Sequence, residues 1–232
     1  MKKSLFDLIA PHYCCSCGEI GRILCDYCKN DIVAEPYSAC IACGNLATNL
    51  GICKDCETVF SRAWCVGERT DALKDLINLY KFERARAAYT VITEMLDEVV
   101  AQLPDETIVT SVPTIAAHVR QRGFDHAQLI AREFARRRKI PYQPTVRRAS
   151  NLVQHGATRA KRQKQAARAF TCEPVRSGVY LLVDDIFTTG ATANYASQAL
   201  LDAGATEVWL AIGARQPFDD TKKNPISKPS EV

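Results

Sequence analysis

The sequence predicts an α/β fold, a parallel sheet with helices on both faces, preceded by a small cysteine-rich module. Three observations carry this. Short apolar runs at residues 107–112, 140–147, 179–185 and 206–213 have strand length, and helical-period stretches lie between them. The run at 179–183, VYLLV, is apolar without alternation, the pattern of a strand buried on both faces of a parallel sheet. Eight of the 11 cysteines form four C-x2-C pairs before residue 57. A chain of 232 residues can bury one sizeable core and carry one small module. The expected division is therefore a module at 1–60, an α/β domain at 61–216 and a polar, proline-bearing, disordered tail at 217–232.

The opening MKKSLFDLIAPHY has two lysines and an apolar patch interrupted by Asp7, with no small-residue cleavage site, so it reads as no signal peptide. With 47% hydrophobic residues and no apolar run near ~18 residues, the chain has no expected membrane span. A cytoplasmic location follows, where thiols stay reduced and abundant cysteine points to metal rather than disulfides. Cys14, Cys17, Cys25 and Cys28 form two knuckles seven residues apart, and Cys40, Cys43, Cys53 and Cys56 repeat the pattern with a nine-residue gap. Two knuckles supply four thiolates for tetrahedral zinc, and Gly18 and Gly44 follow knuckles where the backbone must turn its NH groups toward sulfur. Interleaved pairing, such as Cys14 and Cys17 with Cys40 and Cys43, fits the same spacing, and thiolates also bind iron–sulfur clusters. Four thiolates leave no open position for water, so the metal is structural. Cys15, Cys65 and Cys172 lie off the pattern and read as packing residues.

Residues 71–79 place Ala72, Leu73, Leu76, Ile77 and Leu79 at helical spacing, and a second helical stretch runs from Ala88 to Leu103, before Pro104. TIVTSV, residues 107–112, reads as a strand closed by Pro113, and the turn at 113–116 offers backbone donors and the Thr114 hydroxyl. A helix follows from about His126 to Arg138 with one apolar face, then the strand expected at 140–147. The stretch 148–170 has many donors and few apolar residues, so it reads as a mobile loop. His126 and His155 read as surface histidines.

The strand at 179–183 runs into Asp184 and Asp185, then Thr188, Thr189, Gly190, Ala191 and Thr192, then a helical stretch to Ala203 that Gly204 can end. A turn of free NH groups at a helix start suits a phosphate, because orphan donors and the helix dipole both face the anion. Two adjacent carboxylates ahead of that cradle suit vicinal ribose hydroxyls, with hydrated Mg2+ nearby. This stretch resembles the phosphoribosyl pyrophosphate (PRPP) motif of type I phosphoribosyltransferases. The resemblance implies that Asp184 and Asp185 contact ribose and that residues 188–192 cradle the 5-phosphate. It also implies that the loop at 113–116 touches pyrophosphate and that residues 62–104 form the acceptor-selecting hood.

Four features in order, the knuckles, Lys81 before Phe82, the Val-Pro strand end with Arg122-Gly123-Phe124, and the PRPP loop, make the chain similar to the ComF family of competence-related proteins. The family's flexible loop is matched by Gln154, Gly156, Thr158, Arg162, Ala169 and Phe170, with Asn151 and Gln165 as departures. The resemblance spans about residues 5–215 and implies a role in natural transformation with single-stranded DNA, alongside competence or DNA-processing proteins. Lys81, Arg122 and Arg162 are the cations expected on pyrophosphate.

Charge is uneven: residues 118–168 hold 14 lysines or arginines against two acids, a net of +12, whereas the rest of the chain carries −8. A single PRPP needs only a few cations, so a surplus this large points to a polyanion such as single-stranded DNA, the alternative reading being a solvated basic helix face. Three readings follow: a PRPP-binding competence factor that grips DNA, an active phosphoribosyltransferase of nucleotide metabolism, or a PRPP-sensing docking protein without turnover.

Overall fold

The computed structural model describes residues 12–47, 50–82, 87–149 and 169–218. In chain order the described elements are α1 (Asp26–Ala34), β1 (Arg62–Cys65), α2 (Asp71–Phe82), α3 (Ala88–Val99), β2 (Ile108–Ser111), α4 (Ala116–Arg122), α5 (His126–Arg138), β3 (Val146–Arg148), β4 (Phe170–Cys172), β5 (Val179–Phe187), α6 (Ala191–Asp202) and β6 (Glu207–Arg215). The principal sheet is parallel, with strand order β1-β6-β5-β2. The expected α/β architecture is thus present.

Its central strands are covered on both faces, which is why β5 and β6 read as unbroken apolar runs. Leu181, Val183, Trp209 and Ala211 face a core built with α2, α3 and α5, including Leu76, Tyr80, Ile92, Met95, Ile130 and Phe134. Their neighbours Tyr180, Leu182, Leu210 and Ile212 face a second core with Phe60, Phe187, Ala196 and Leu200. Each cysteine group joins one of these cores. Cys14, Cys25 and Cys28 pack with the first and Cys40 and Cys53 with the second, so the cysteine-rich segments flank the sheet at its β1 side. The Ala63 NH donates to Leu50 O at 2.8 Å, so the Leu50 segment covers part of the β1 edge and blunts its pairing capacity.

Two elements differ from the sequence expectation. Residues 140–147 do not form a strand of the parallel sheet. Pro141 and Pro144 interrupt the ladder, Tyr142 makes one parallel bridge to Val109, and only Val146–Arg148 is a strand, antiparallel to β4 in a separate pair. Conversely β1, four residues long, is an edge strand of the main sheet inside the segment expected as hood. No helix among the described residues is long and apolar enough to cross a membrane. The expected mobile loop falls mostly at 150–168 and the expected tail mostly at 219–232, outside the described residues.

Candidate functional site

Asp184 and Asp185 lie near the carboxyl end of β5, where ligands gather in open parallel sheets. Asp185 is buried, and its Oδ1 is 3.0 Å from Lys81 Nζ at the last turn of α2. Asp184 accepts the backbone NH of Asp185 at 2.9 Å. Burial, and then the charge of Asp185, hold the Asp184 carboxyl well above its usual range, while Lys81 opposes this. Such a carboxyl is poised to gain from an arriving cation or hydroxyl donor. Gly213 on β6 permits this crowding: a Cβ there would sit 2.8 Å from Asp185 O and 3.2 Å from Ile92 Cγ2.

Past Phe187 the chain bends through Thr188 and Thr189, both exposed, and Gly190 takes φ +74°, the left-handed region that glycine enters without strain. Gly190 precedes α6 and has no side chain to cap it, and the Ala191 NH reaches only the Thr189 hydroxyl, at 3.5 Å. Ala191 and Thr192 form the first turn, half-buried. This is the strand-turn-helix that an anion cradle requires.

Other groups converge from the neighbouring elements. Thr114, in the loop after β2, donates its NH and its hydroxyl to Asp125, each at 3.0 Å. Arg148 donates to Pro113 O at 3.2 Å and lies within electrostatic reach of Asp184. Arg122 stands 5.7 Å from the ring centroid of the exposed Phe82. His126 is a correction to the sequence reading: it is buried, not superficial, with its Nε2 2.9 Å from Tyr80 O. Burial lowers its pKa, and Asp185, Arg122 and Lys81 all act on it electrostatically. So Lys81, Arg122, Asp184 and Asp185 lie close together at the end of β5, whereas Arg162, with Gln154, His155, Gly156 and Thr158, falls outside the described residues.

The cysteines assemble consecutively rather than interleaved. In each of the sets Cys14, Cys17, Cys25, Cys28 and Cys40, Cys43, Cys53, Cys56, the ligand atoms lie within 4.8 Å of one another. Sulfur separations of 3.7 Å for Cys17–Cys25, 3.5 Å for Cys43–Cys53 and 3.9 Å for Cys40–Cys56 bracket the ~3.8 Å edge of a tetrahedron with ~2.3 Å metal–sulfur bonds. Both knuckles close with the same turn, Gly18 NH to Cys14 O and Gly44 NH to Cys40 O. The residues fit, and each group can hold a structural metal ion. The remaining thiols do not join them. Cys15 reaches Ala72 O at 3.9 Å and burial pushes its pKa up to about 11, while the buried Cys65 donates to Gly67 O and burial pushes it up to about 12.

The basic segment is less available than its charge suggests. Arg136 and Arg137 pair with Glu133, Arg137 also with Glu94 at 3.1 Å, and Arg138 with Asp97 while donating to Val100 O at 2.7 Å. Arg137 and Arg138 brace α5 against α3, whereas Arg136 pairs within its own helix and stays exposed. Arg22 and Lys29 of the first cysteine segment reach the same Glu94, at 2.8 and 4.0 Å.

Asp125, Arg148 and Gly213 were not singled out from the sequence as site residues, and His126 was read there only as a surface histidine. Asp125 was legible as a helix N-cap, since its side chain accepts the NH of Gln128; the rest carry no local signal.

No protein-family model matches the chain. It is 27% identical over 205 residues to competence protein F of Haemophilus influenzae, covering 80% of this chain and 87% of that protein. It is 29% identical over 203 residues to the DNA utilization protein YhgH of Salmonella typhimurium, covering 80% and 88%. Competence protein ComFC of Bacillus subtilis is 23% identical over 193 residues, covering 78% and 79%. Among solved structures, the glutamine PRPP amidotransferase from B. subtilis gives a TM-score of 0.38 at 17% identity, over 62% of this chain and 27% of that one. Orotate phosphoribosyltransferase from Aeropyrum pernix gives 0.35 at 18%, over 63% and 78%. The resemblance to the ComF family read from the motifs is borne out: over about 80% of its length the chain is similar to proteins named competence protein F and YhgH.

Proposed function

We propose that this protein binds PRPP with Mg2+ at residues 184–192 and acts, in the cytoplasm, in natural competence. The observation that carries the reading is the junction of β5 and α6, where the paired carboxylates, with Lys81 3.0 Å from Asp185, stand beside a glycine-led helix start. The names of the relatives supply the process. Asp184 and Asp185 would hold the ribose hydroxyls, and the NH groups and hydroxyls of Thr188, Thr189, Gly190, Ala191 and Thr192 the 5-phosphate. Lys81 and Arg122, joined by Arg162, would face the pyrophosphate, where negative charge grows if the anomeric bond breaks. Bound Mg2+ would neutralise part of the pyrophosphate charge. The two cysteine groups would hold structural zinc. The division we propose, at about residue 60 between a zinc module and a phosphoribosyltransferase-like domain, is one of sequence and ligand chemistry, since the described cysteines pack into the two sheet cores.

Contact with single-stranded DNA through residues 118–168 belongs to the same proposal, although Arg137 and Arg138 are engaged with α3. Fluorescence anisotropy of a labelled oligonucleotide, with and without PRPP, tests it together with transformation frequency in cells carrying Asp184→Asn/Asp185→Asn. Loss of PRPP-dependent DNA binding and of transformation supports the proposal. Normal transformation makes the motif dispensable for the process and leaves phosphoribosyl transfer in nucleotide metabolism as the reading to pursue, assayed by pyrophosphate release.

A further inference from the structure

Asp125, the N-cap of α5, and His126, its first residue, each tie a different neighbouring element to the start of that helix. Asp125 Oδ2 accepts the Thr114 NH at 3.0 Å, while its Oδ1 accepts the Thr114 hydroxyl at 3.0 Å and the Gln128 NH at 3.1 Å. Three donors on one carboxylate fix the loop after β2 against the helix start. His126, 1% exposed, bonds Tyr80 O through Nε2 at 2.9 Å, and Tyr80 returns its hydroxyl to His126 O at 2.8 Å. Its ring packs against those of Tyr80 and Phe124, with centroids at 4.5 and 4.6 Å, and these two rings also meet each other at 5.7 Å. Tyr80 immediately precedes Lys81, so this exchange fixes the turn of α2 that delivers the lysine to Asp185.

The choice of side chains is more demanding than packing alone requires. A carbonyl partner makes Nε2 the protonated nitrogen, which leaves Nδ1 an acceptor. Nδ1 is buried and has no partner among the described residues. Burying an imidazole with one nitrogen unpaired costs free energy that an apolar ring would not. The cost is intelligible if the Nε2 donor must hold the Tyr80 carbonyl.

We propose that Asp125 and His126 are positioning residues that set the pyrophosphate side of the site, Asp125 through the Thr114 loop and His126 through Lys81. The proposal rests on the PRPP reading above. Neither residue touches the cradle at 188–192 in any hydrogen bond among the described residues, so their influence is expected at the pyrophosphate end and not at the 5-phosphate end.

Calorimetric titration of the metal-replete protein with PRPP·Mg2+ and, separately, with ribose 5-phosphate tests this. Asp125→Asn keeps an acceptor for the helix cap but turns an amide toward Thr114. His126→Phe keeps the ring and removes the donor, and His126→Gln restores a donor at similar reach. Wild-type protein is expected to prefer PRPP. Asp125→Asn and His126→Phe should lose PRPP affinity by about tenfold while ribose 5-phosphate affinity stays within about twofold, and His126→Gln should recover most of the loss. Thr114→Val removes only the hydroxyl bond and provides a milder variant if the others fold poorly; it should lower PRPP affinity alone. Equal losses for both ligands, or unchanged PRPP affinity, would overturn the positioning role. A wild type that binds both ligands equally well would instead overturn the pyrophosphate reading, and the positioning role with it.

Discussion

Lys81→Met isolates the contact between the hood-side helix and the paired carboxylates. Methionine keeps the length and the apolar stem but leaves Asp185, 6% exposed, without the cation now 3.0 Å away. Coulomb's law at that distance gives about 5–6 kcal/mol with an effective dielectric of ~20, of which lysine desolvation and residual solvent access return a large part. Side-chain exposures of 17% and 9% place the pair between exposed bridges and fully buried ones. Exposed pairs contribute about 0–1 kcal/mol and breaking buried ones costs about 3–5, so the loss should be about 2–3 kcal/mol. For a chain of this size that is a fall in Tm of roughly 5–10 °C. The assay is a double-mutant cycle in urea with Asp185→Asn. Removing both charges should cost no more than Lys81→Met alone, because Asp185 is then no longer an unpaired carboxylate, giving a coupling of about 1.5 kcal/mol or more. Additivity of the two single effects within about 0.5 kcal/mol would refute the reasoning.

The remaining predictions concern charge, metal and anchoring. The Asp184 carboxyl has a raised native pKa, so the folded state binds its proton more tightly than the unfolded chain does, and ionisation costs stability as pH climbs from the unfolded value toward the native one. Asp184→Asn removes that cost: without ligand the variant should be more stable than wild type at pH 8, with a gap that narrows at pH 5.5, read from urea midpoints. Metal analysis should find two ions per chain, with Cys28→Ser and Cys53→Ser each retaining about one; chelation should lower Tm sharply, because Cys28 and Cys53 belong to the two cores themselves. Arg215, 2% exposed, donates Nε to Ile41 O at 2.7 Å and lies over the Phe187 and Phe218 rings. Arg215→Met should therefore cost about 2–4 kcal/mol in thermal or urea unfolding, through a lost buried hydrogen bond and cation–π contact.

What the sequence disclosed was whatever is contiguous. The β5–α6 junction spells its chemistry within ten residues, and the cysteine pairs announce their ligand type, so both were legible. The pairing within the cysteine groups was not, because spacing alone allows consecutive or interleaved closure, and only the packing of Cys14 and Cys40 into different cores separates them. β1 was missed because four residues, RAWC, carry too little pattern to count as a strand. Residues 140–147 looked like one because Ile140, Tyr142 and Val146 outweighed the two prolines that stop the ladder. His126 was misread because a histidine at a helix start looks solvated until Tyr80, 46 residues earlier, covers it. Arg148 was one basic residue among 14 in its segment, and it is set apart by its approach to Pro113 and its reach toward Asp184.

The most direct test of the central claim is isothermal calorimetry of PRPP with Mg2+ against the zinc-loaded protein, with Asp184→Asn/Asp185→Asn as control. Saturable one-site binding by the wild type, lost in the double variant while the variant still unfolds cooperatively, is the predicted result. No heat of binding in the wild type, or equal binding in the variant, would contradict it.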